Sequence, residues 1–269
     1  MKFIWCICFI FLFLLYTGEA KAGELAERLR NFPQWEKISS AQAATGDLVY
    51  PDWLEGSWQV KSTLVDLVAP LSSRIVTPGF EQNRQYLNKP VRFSVKFVQK
   101  QRRVYAFNIF PGKTTDVVVA DRAFNGLNLA RAYLGDRSVL SVKVDPDSPN
   151  RQITLLRGDR QLVSVITGRS TETLSDTKFI TTEIFQQLFN GTSIPYFNTV
   201  ESTTAYHRLS KSDPSIEADQ VTDVYLSPQD PDYFTAGSHP VALYRYKLEF
   251  FPTNREQKMA KPEVRSISF

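Results

Sequence analysis

Pro51-Asp52-Trp53-Leu54-Glu55-Gly56-Ser57-Trp58-Gln59-Val60 is the stretch on which the fold turns, because it carries a Gly-x-Trp straight into a strand. From Trp58 onward, Trp58, Val60, Ser62 and Leu64 alternate with Gln59, Lys61, Thr63 and Val65, the period of a strand with one buried face. Gly56 and Trp58 stand at the mouth of that first strand.

The same period returns repeatedly downstream. Val91, Phe93, Val95 and Phe97 share one face of a predicted strand over residues 91–98, and Gln99 to Arg102 are expected to turn the chain into a partner over 103–110. A short strand is expected over 115–119, then strands over 139–144, 153–157 and 161–167, separated by Asp145-Pro146-Asp147 and Gly158-Asp159. Further strands follow over 179–189, 200–209, 216–226 and 241–251, and in the last Ala242, Tyr244, Tyr246, Leu248 and Phe250 share a face. One helix interrupts the series: Asp121 can cap it, Phe124, Leu127 and Leu134 recur at helical spacing, and Gly135 can end it. The reading is a mainly β protein, an antiparallel barrel of about 8–10 strands with one main helix, because no βαβ rhythm appears.

The flanks are different. Residues 1–22 read as a signal peptide, with Lys2, an apolar run from Phe3 to Tyr16 and Ala20-Lys21-Ala22 as cleavage site. Residues 23–46 form a short N-terminal helical arm broken at Pro33, whose Phe32 and Trp35 are expected to dock on the body. Residues 47–251 make the single barrel domain and 252–269 a polar, flexible tail. The connection from Asp66 to Pro90, punctuated by Pro70, Pro78 and Gly79, is long enough to cover or gate something.

Composition excludes several chemistries. Both cysteines, Cys6 and Cys8, lie in the predicted leader, so the mature chain has no disulfide, thiol nucleophile or Cys-ligated metal. The 32 basic and 28 acidic side chains are scattered, which offers nucleic acid no basic stripe. His207 and His239 show no metal spacing, and no Gly-x-Ser-x-Gly elbow is present. No catalytic residue, metal or cofactor is assigned. After cleavage the chain has no segment for an integral membrane protein. Glu183 and Glu201 lie in mid-strand, where an inward carboxylate needs a partner such as Arg92 or Arg208, and would mark a polar spot in a ligand cavity.

Glu55-Gly56-Ser57-Trp58 resembles the Gly-x-Trp motif that opens lipocalins and their calycin relatives. That resemblance implies a floor in which Trp58 packs beneath an Arg from the last strong strand, here Arg245, and Thr222-Asp223-Val224-Tyr225 resembles the Thr-Asp-Tyr motif of such barrels. Pro51 to Trp58, Ser62-Thr63-Leu64-Val65 and Val76-Thr77-Pro78-Gly79-Phe80-Glu81 look like an uncharacterised cyanobacterial and chloroplast family with a domain of unknown function, a likeness covering about residues 45–251. It implies export to a thylakoid lumen or periplasm. The expected function is a lipocalin-like carrier of an apolar small molecule (pigment, lipid or isoprenoid), with Phe93, Phe97, Tyr244, Tyr246, Glu183 and Glu201 as cavity residues. The alternatives are a lumenal assembly or stability factor for a photosynthetic complex, working through the 66–90 loop or the arm, and an isomerase or cyclase acting inside the barrel.

Overall fold

The computed structural model describes residues 23–253 apart from 38–39, 72–74, 76, 105–112, 192–193 and 211–212. The predicted leader and residues 254–269 of the predicted tail lie outside the described residues.

Among the described residues eleven strands form one antiparallel sheet: β1 (Gln42–Ala43), β2 (Gly56–Val68), β3 (Pro90–Val104), β4 (Lys113–Ala120), β5 (Val139–Asp145), β6 (Ser148–Leu156), β7 (Arg160–Ser175), β8 (Lys178–Asn190), β9 (Tyr196–Arg208), β10 (Ile216–Leu226) and β11 (Ala242–Pro252). Their order is β4-β3-β2-β11-β10-β9-β8-β7-β6-β5, with β1 added beside β7. Among the described residues four α-helices accompany them: α1 (Glu24–Arg30), α2 (Phe80–Asn83), α3 (Arg122–Leu134) and α4 (Tyr233–Ala236). The mainly β, antiparallel expectation is met.

The sheet curls into a half-barrel. Tyr50 shows the curvature: its ring lies 4.8 Å from Phe97 on β3, yet also 6.1 Å from Phe179 on β8 and 6.2 Å from Tyr206 on β9. Strands that are far apart in the ladder meet one ring, so the face carrying Phe97, Phe179 and Tyr206 is concave. The edge strands β4 and β5 do not pair among the described residues. Helix α3 joins them instead, packing on β3, β5 and β6.

Local chemistry sets α3 in place. The Asp121 carboxylate accepts from the Phe124 N–H at 3.1 Å and caps the helix, and Gly135 ends it at φ +83°. Beyond the end of the β3–β4 ladder, Asn125 continues the hydrogen bonding as a strand would: its Oδ1 accepts from the Lys96 N–H at 2.7 Å and its Nδ2 donates to the Lys96 carbonyl at 3.0 Å. The helix is thereby fixed to the sheet through backbone, although none of its side chains is fully buried.

Two boundaries differ from expectation. Gln99 to Arg102 do not turn; β3 runs straight through them, paired with Val118 to Thr115 of β4. Lys and Gln in that segment are polar, but edge pairing satisfies the backbone whatever the side chains. The 66–90 connection is also less open than its prolines imply. β2 continues to Val68, and Ile75, Thr77 and Phe80 are buried, with Ile75 and Phe80 packed beside Leu64 and Tyr244 to close one end of the concavity.

Candidate functional site

The concave face is apolar at both ends. At one end Trp58, Val60, Val95, Phe97, Leu248 and Phe250 pack with Tyr50 and Tyr206. At the other lie Leu64, Phe80, Val224, Leu226, Ala242 and Tyr244. Between them runs a polar band. Register aligns Glu183 of β8 with Ser202 of β9 and Thr222 of β10, and Gln220 Nε2 donates to Ser202 Oγ at 2.7 Å. Ser202, Gln220, Thr222, Phe185 and Tyr246 all stay half-buried, in contrast to the fully buried residues at the two ends.

Glu183 is held by two arginines. Arg169, opposite it on β7, donates from Nη2 at 2.7 Å and from Nε at 3.0 Å, and also reaches Asn150 Oδ1 at 3.1 Å. Arg122, the first residue of α3, brings Nη1 to 3.7 Å from the second carboxylate oxygen. Tyr50 and Tyr206 adjoin this group. Burial, then the Glu183 charge, push the Tyr206 hydroxyl well above its ordinary pKa; burial, Tyr206 and Glu183 do the same to Tyr50. Both phenols are therefore fixed as neutral hydrogen-bonding groups.

The expected cavity residues divide between core and cleft. Phe97 and Tyr244 are concave but packed into the apolar ends; Phe93 and Tyr246 are concave and half-buried. Glu201 is elsewhere. Its register partner on β8 is Ile184, one residue on from Glu183, so it points to the opposite, convex face. There it pairs with Arg28 of α1 and lies across from Asp223. Glu183 and Glu201 thus do not share a cavity, and neither takes Arg92 or Arg208 as partner, the arginines being Arg169, Arg122 and Arg28 instead.

The floor motif also resolves differently in part. Trp58 is buried, with Nε1 donating to the Leu54 carbonyl at 2.9 Å and its ring edge-on to Phe250 at 6.4 Å. Arg245 is not above it. β11 pairs Arg245 with Asp66 and places Pro252 beside Trp58, and Arg245 lies on the convex face, bound to Asp219 at 2.6 and 3.0 Å and 5.3 Å from the Phe32 ring. Strand alternation against the aromatic row already opposed the two residues.

The convex face is covered by the arm. Leu25, Leu29 and Trp35 pack with Ile180, Val221 and Leu243, and the Glu172 carboxylate on β7 accepts from the Leu25 N–H at 2.7 Å. Beside α1 a groove of about 690 Å³ is lined by Leu29, Val65, Leu174, Ile180 and Ala205. His207 and His239 are exposed. Among the described residues no cluster of His, Cys, Asp or Glu could hold a metal, and no helix is long and apolar enough to cross a membrane.

Comparison with protein-family models matches residues 42–254 to a domain of unknown function, DUF6816. The chain belongs to the DUF6816 family. The matched span takes in every described strand from β1 to β11, and α1 with Arg28 lies outside it. No curated protein and no solved structure matches the chain. Arg122, Arg169, Tyr50 and Tyr206 are the site residues that strand periodicity did not single out. The usable signal was Arg122 immediately after a helix cap, where a cation opposes the helix dipole and needs a separate reason.

Proposed function

We propose that this DUF6816 protein is an exported carrier that binds or shields an apolar small molecule, of the pigment, lipid or isoprenoid kind, in the concavity between the half-barrel and α3. The observation that carries the reading is the half-buried middle band, Phe185, Ser202, Gln220, Thr222 and Tyr246, set between two apolar ends. Ligand pockets are mostly apolar with a few placed polar groups, and a curled sheet of this size can hold one small molecule. The leader reading supports export to a thylakoid lumen or periplasm.

Native mass spectrometry of protein purified from its own host tests this: a bound mass that leaves on organic extraction is expected. A photoreactive apolar probe should then label Phe185 or Tyr246. Labelling confined to Leu29, Leu174 and Ile180 would move the site to the convex groove and overturn the reading.

A second reading, a lumenal assembly or stability factor, draws on Phe234 of α4, which is 90% exposed in the β10–β11 connection. The arm does not serve it, because its Leu25, Leu29 and Trp35 are already buried against the sheet. Co-purification of a photosynthetic membrane subunit with an empty carrier, lost in Phe234→Ala, is its signature.

A further inference from the structure

The geometry points to a carboxylate-binding subsite at Arg122, so that the molecule held in the concavity is an apolar body ending in a single carboxylate. The inference rests on the carrier reading above and deepens it.

Hydrogen-bond accounting comes first. Arg169 is fully engaged: Nε and Nη2 go to Glu183, Nη2 also to Asn150, and Nη1 to the Gly46 carbonyl at 3.3 Å. Arg122 is not. Its Nη1 stands 3.7 Å from Glu183, an ion contact but too long for a hydrogen bond. Its Nε is buried and finds no acceptor among the described residues. The side chain is only 18% exposed, so water at the surface does not replace the missing acceptor. A guanidinium is a rigid fork of five donors, and one left without acceptors in a buried place carries a desolvation cost that a native fold seldom leaves standing.

Charge accounting agrees. Two guanidiniums face Glu183 here, and Asp47, which lines the same small void as Arg122, is paired with Lys100 at 2.6 Å. The site therefore holds one surplus positive charge in a poorly hydrated setting, where uncompensated charge costs several kcal/mol. A monoanion cancels that surplus; a phosphate monoester near its dianionic form overshoots it. Shape agrees too, because a planar carboxylate meets a guanidinium fork through two parallel hydrogen bonds. Tyr50, kept neutral by burial, lines the same small void as Arg122. Glu183 hydrogen-bonds Arg169 and holds Arg122 at ion-contact distance.

The apolar body has a place to go. From Glu183 the ladder leads through Ser202 to Thr222, into the half-buried band that ends at Tyr244 and Phe80.

The test uses three probes of equal length on the full chain stripped of endogenous ligand: hexadecanoic acid, its methyl ester and hexadecanol, with affinity read by calorimetry. The wild-type protein is expected to bind the acid about 10-fold or more tightly than the ester, the margin of a charged hydrogen-bonded pair. Arg122→Gln should bring the two affinities together by weakening the acid alone. Arg122→Lys should restore part of the margin, and Arg84→Gln, which alters an exposed arginine paired with Glu81, should leave it intact. Equal binding of acid and ester by the wild type overturns the subsite and leaves the carrier reading standing, as does a margin that survives Arg122→Gln. Failure of all three probes to bind overturns both. The wild-type comparison needs no variant, so a misfolded Arg122→Gln does not shelter the inference.

Discussion

Asp223 of β10 lies directly across the ladder from Glu201 of β9, and both carboxylates are completely buried beneath the N-terminal arm. Burial first, and then the Glu201 charge, raise the Asp223 pKa well above its ordinary value, while Tyr225, Arg28 and Trp35 offset only part of the rise. An acid whose pKa is higher folded than unfolded makes the native state bind more protons between those two values. Stability therefore falls as pH rises from the unfolded Asp value of about 3.9 through the folded one. Melting curves of the wild type are expected to shift upward as pH is lowered from 7 toward 5, and Asp223→Asn should flatten that slope and raise the melting temperature at pH 7. Parallel curves for the two proteins would show that Asp223 ionises at its ordinary pH.

Arg28 is the cation that answers this acidic pair, bound to Glu201 by Nη1 and to the Glu36 carbonyl by Nη2 at 2.6 Å, with its guanidinium 4.4 Å from the Trp35 ring centre. Removing one partner of a buried pair costs about 3–5 kcal/mol. Arg28→Ala should accordingly lose that much by chemical denaturation, and amides of α1 should exchange with solvent well before those of β9. If the loss stays under about 1 kcal/mol, the range of exposed pairs, the arm is not a structural part of the body.

Much of this architecture is legible in the chain because alternation has a single cause. A side chain at every second position must go to the same face, so Trp58, Val60 and Leu64, the Val91 to Phe97 row and the Ala242 to Phe250 row read correctly, and the Asp121 cap with Gly135 located α3. What alternation does not carry is which face is concave. Glu183 and Glu201 looked equivalent in separate strands, and only the register of β8 against β9 puts them on opposite sides. Arg122 and Arg169 were hidden for the same reason: they are ordinary arginines until the curl of the sheet and the path of α3 bring them to one carboxylate. Arg245 went the other way, since its strand parity already opposed the floor contact that the Gly-x-Trp resemblance implies.

The two kinds of ion pair in the sheet should behave differently. Arg169 and Glu183 are 12% and 13% exposed, whereas Lys247 and Glu217 are 52% and 39% exposed. Arg169→Ala should cost about 3–5 kcal/mol, and Lys247→Ala about 0.5 kcal/mol or less. Urea midpoints for the two variants decide it; similar shifts would mean that solvent reaches Glu183 freely and that the polar band is not a desolvated site.

Gly126 sets how closely α3 approaches β6. A Cβ at that position would come to 2.8 Å of the Gln152 amide nitrogen, closer than packed atoms tolerate, yet the obstacle is the end of a flexible side chain and not backbone. Replacing Gly by Ala in a helix interior gains about 1 kcal/mol of propensity, and here displacement of Gln152 opposes that gain. Gly126→Ala alone should therefore change stability by less than about 0.5 kcal/mol, the usual scale of a substitution with no dominant mechanism. In a Gln152→Ala background the obstacle is gone, and the same substitution should yield the full gain of about 1 kcal/mol. The difference between the two backgrounds is a coupling energy between neighbours. If Gly126→Ala has the same effect in both, α3 does not rest on β6 through this contact, and its seat is fixed by β3, through Asn125, and by β5.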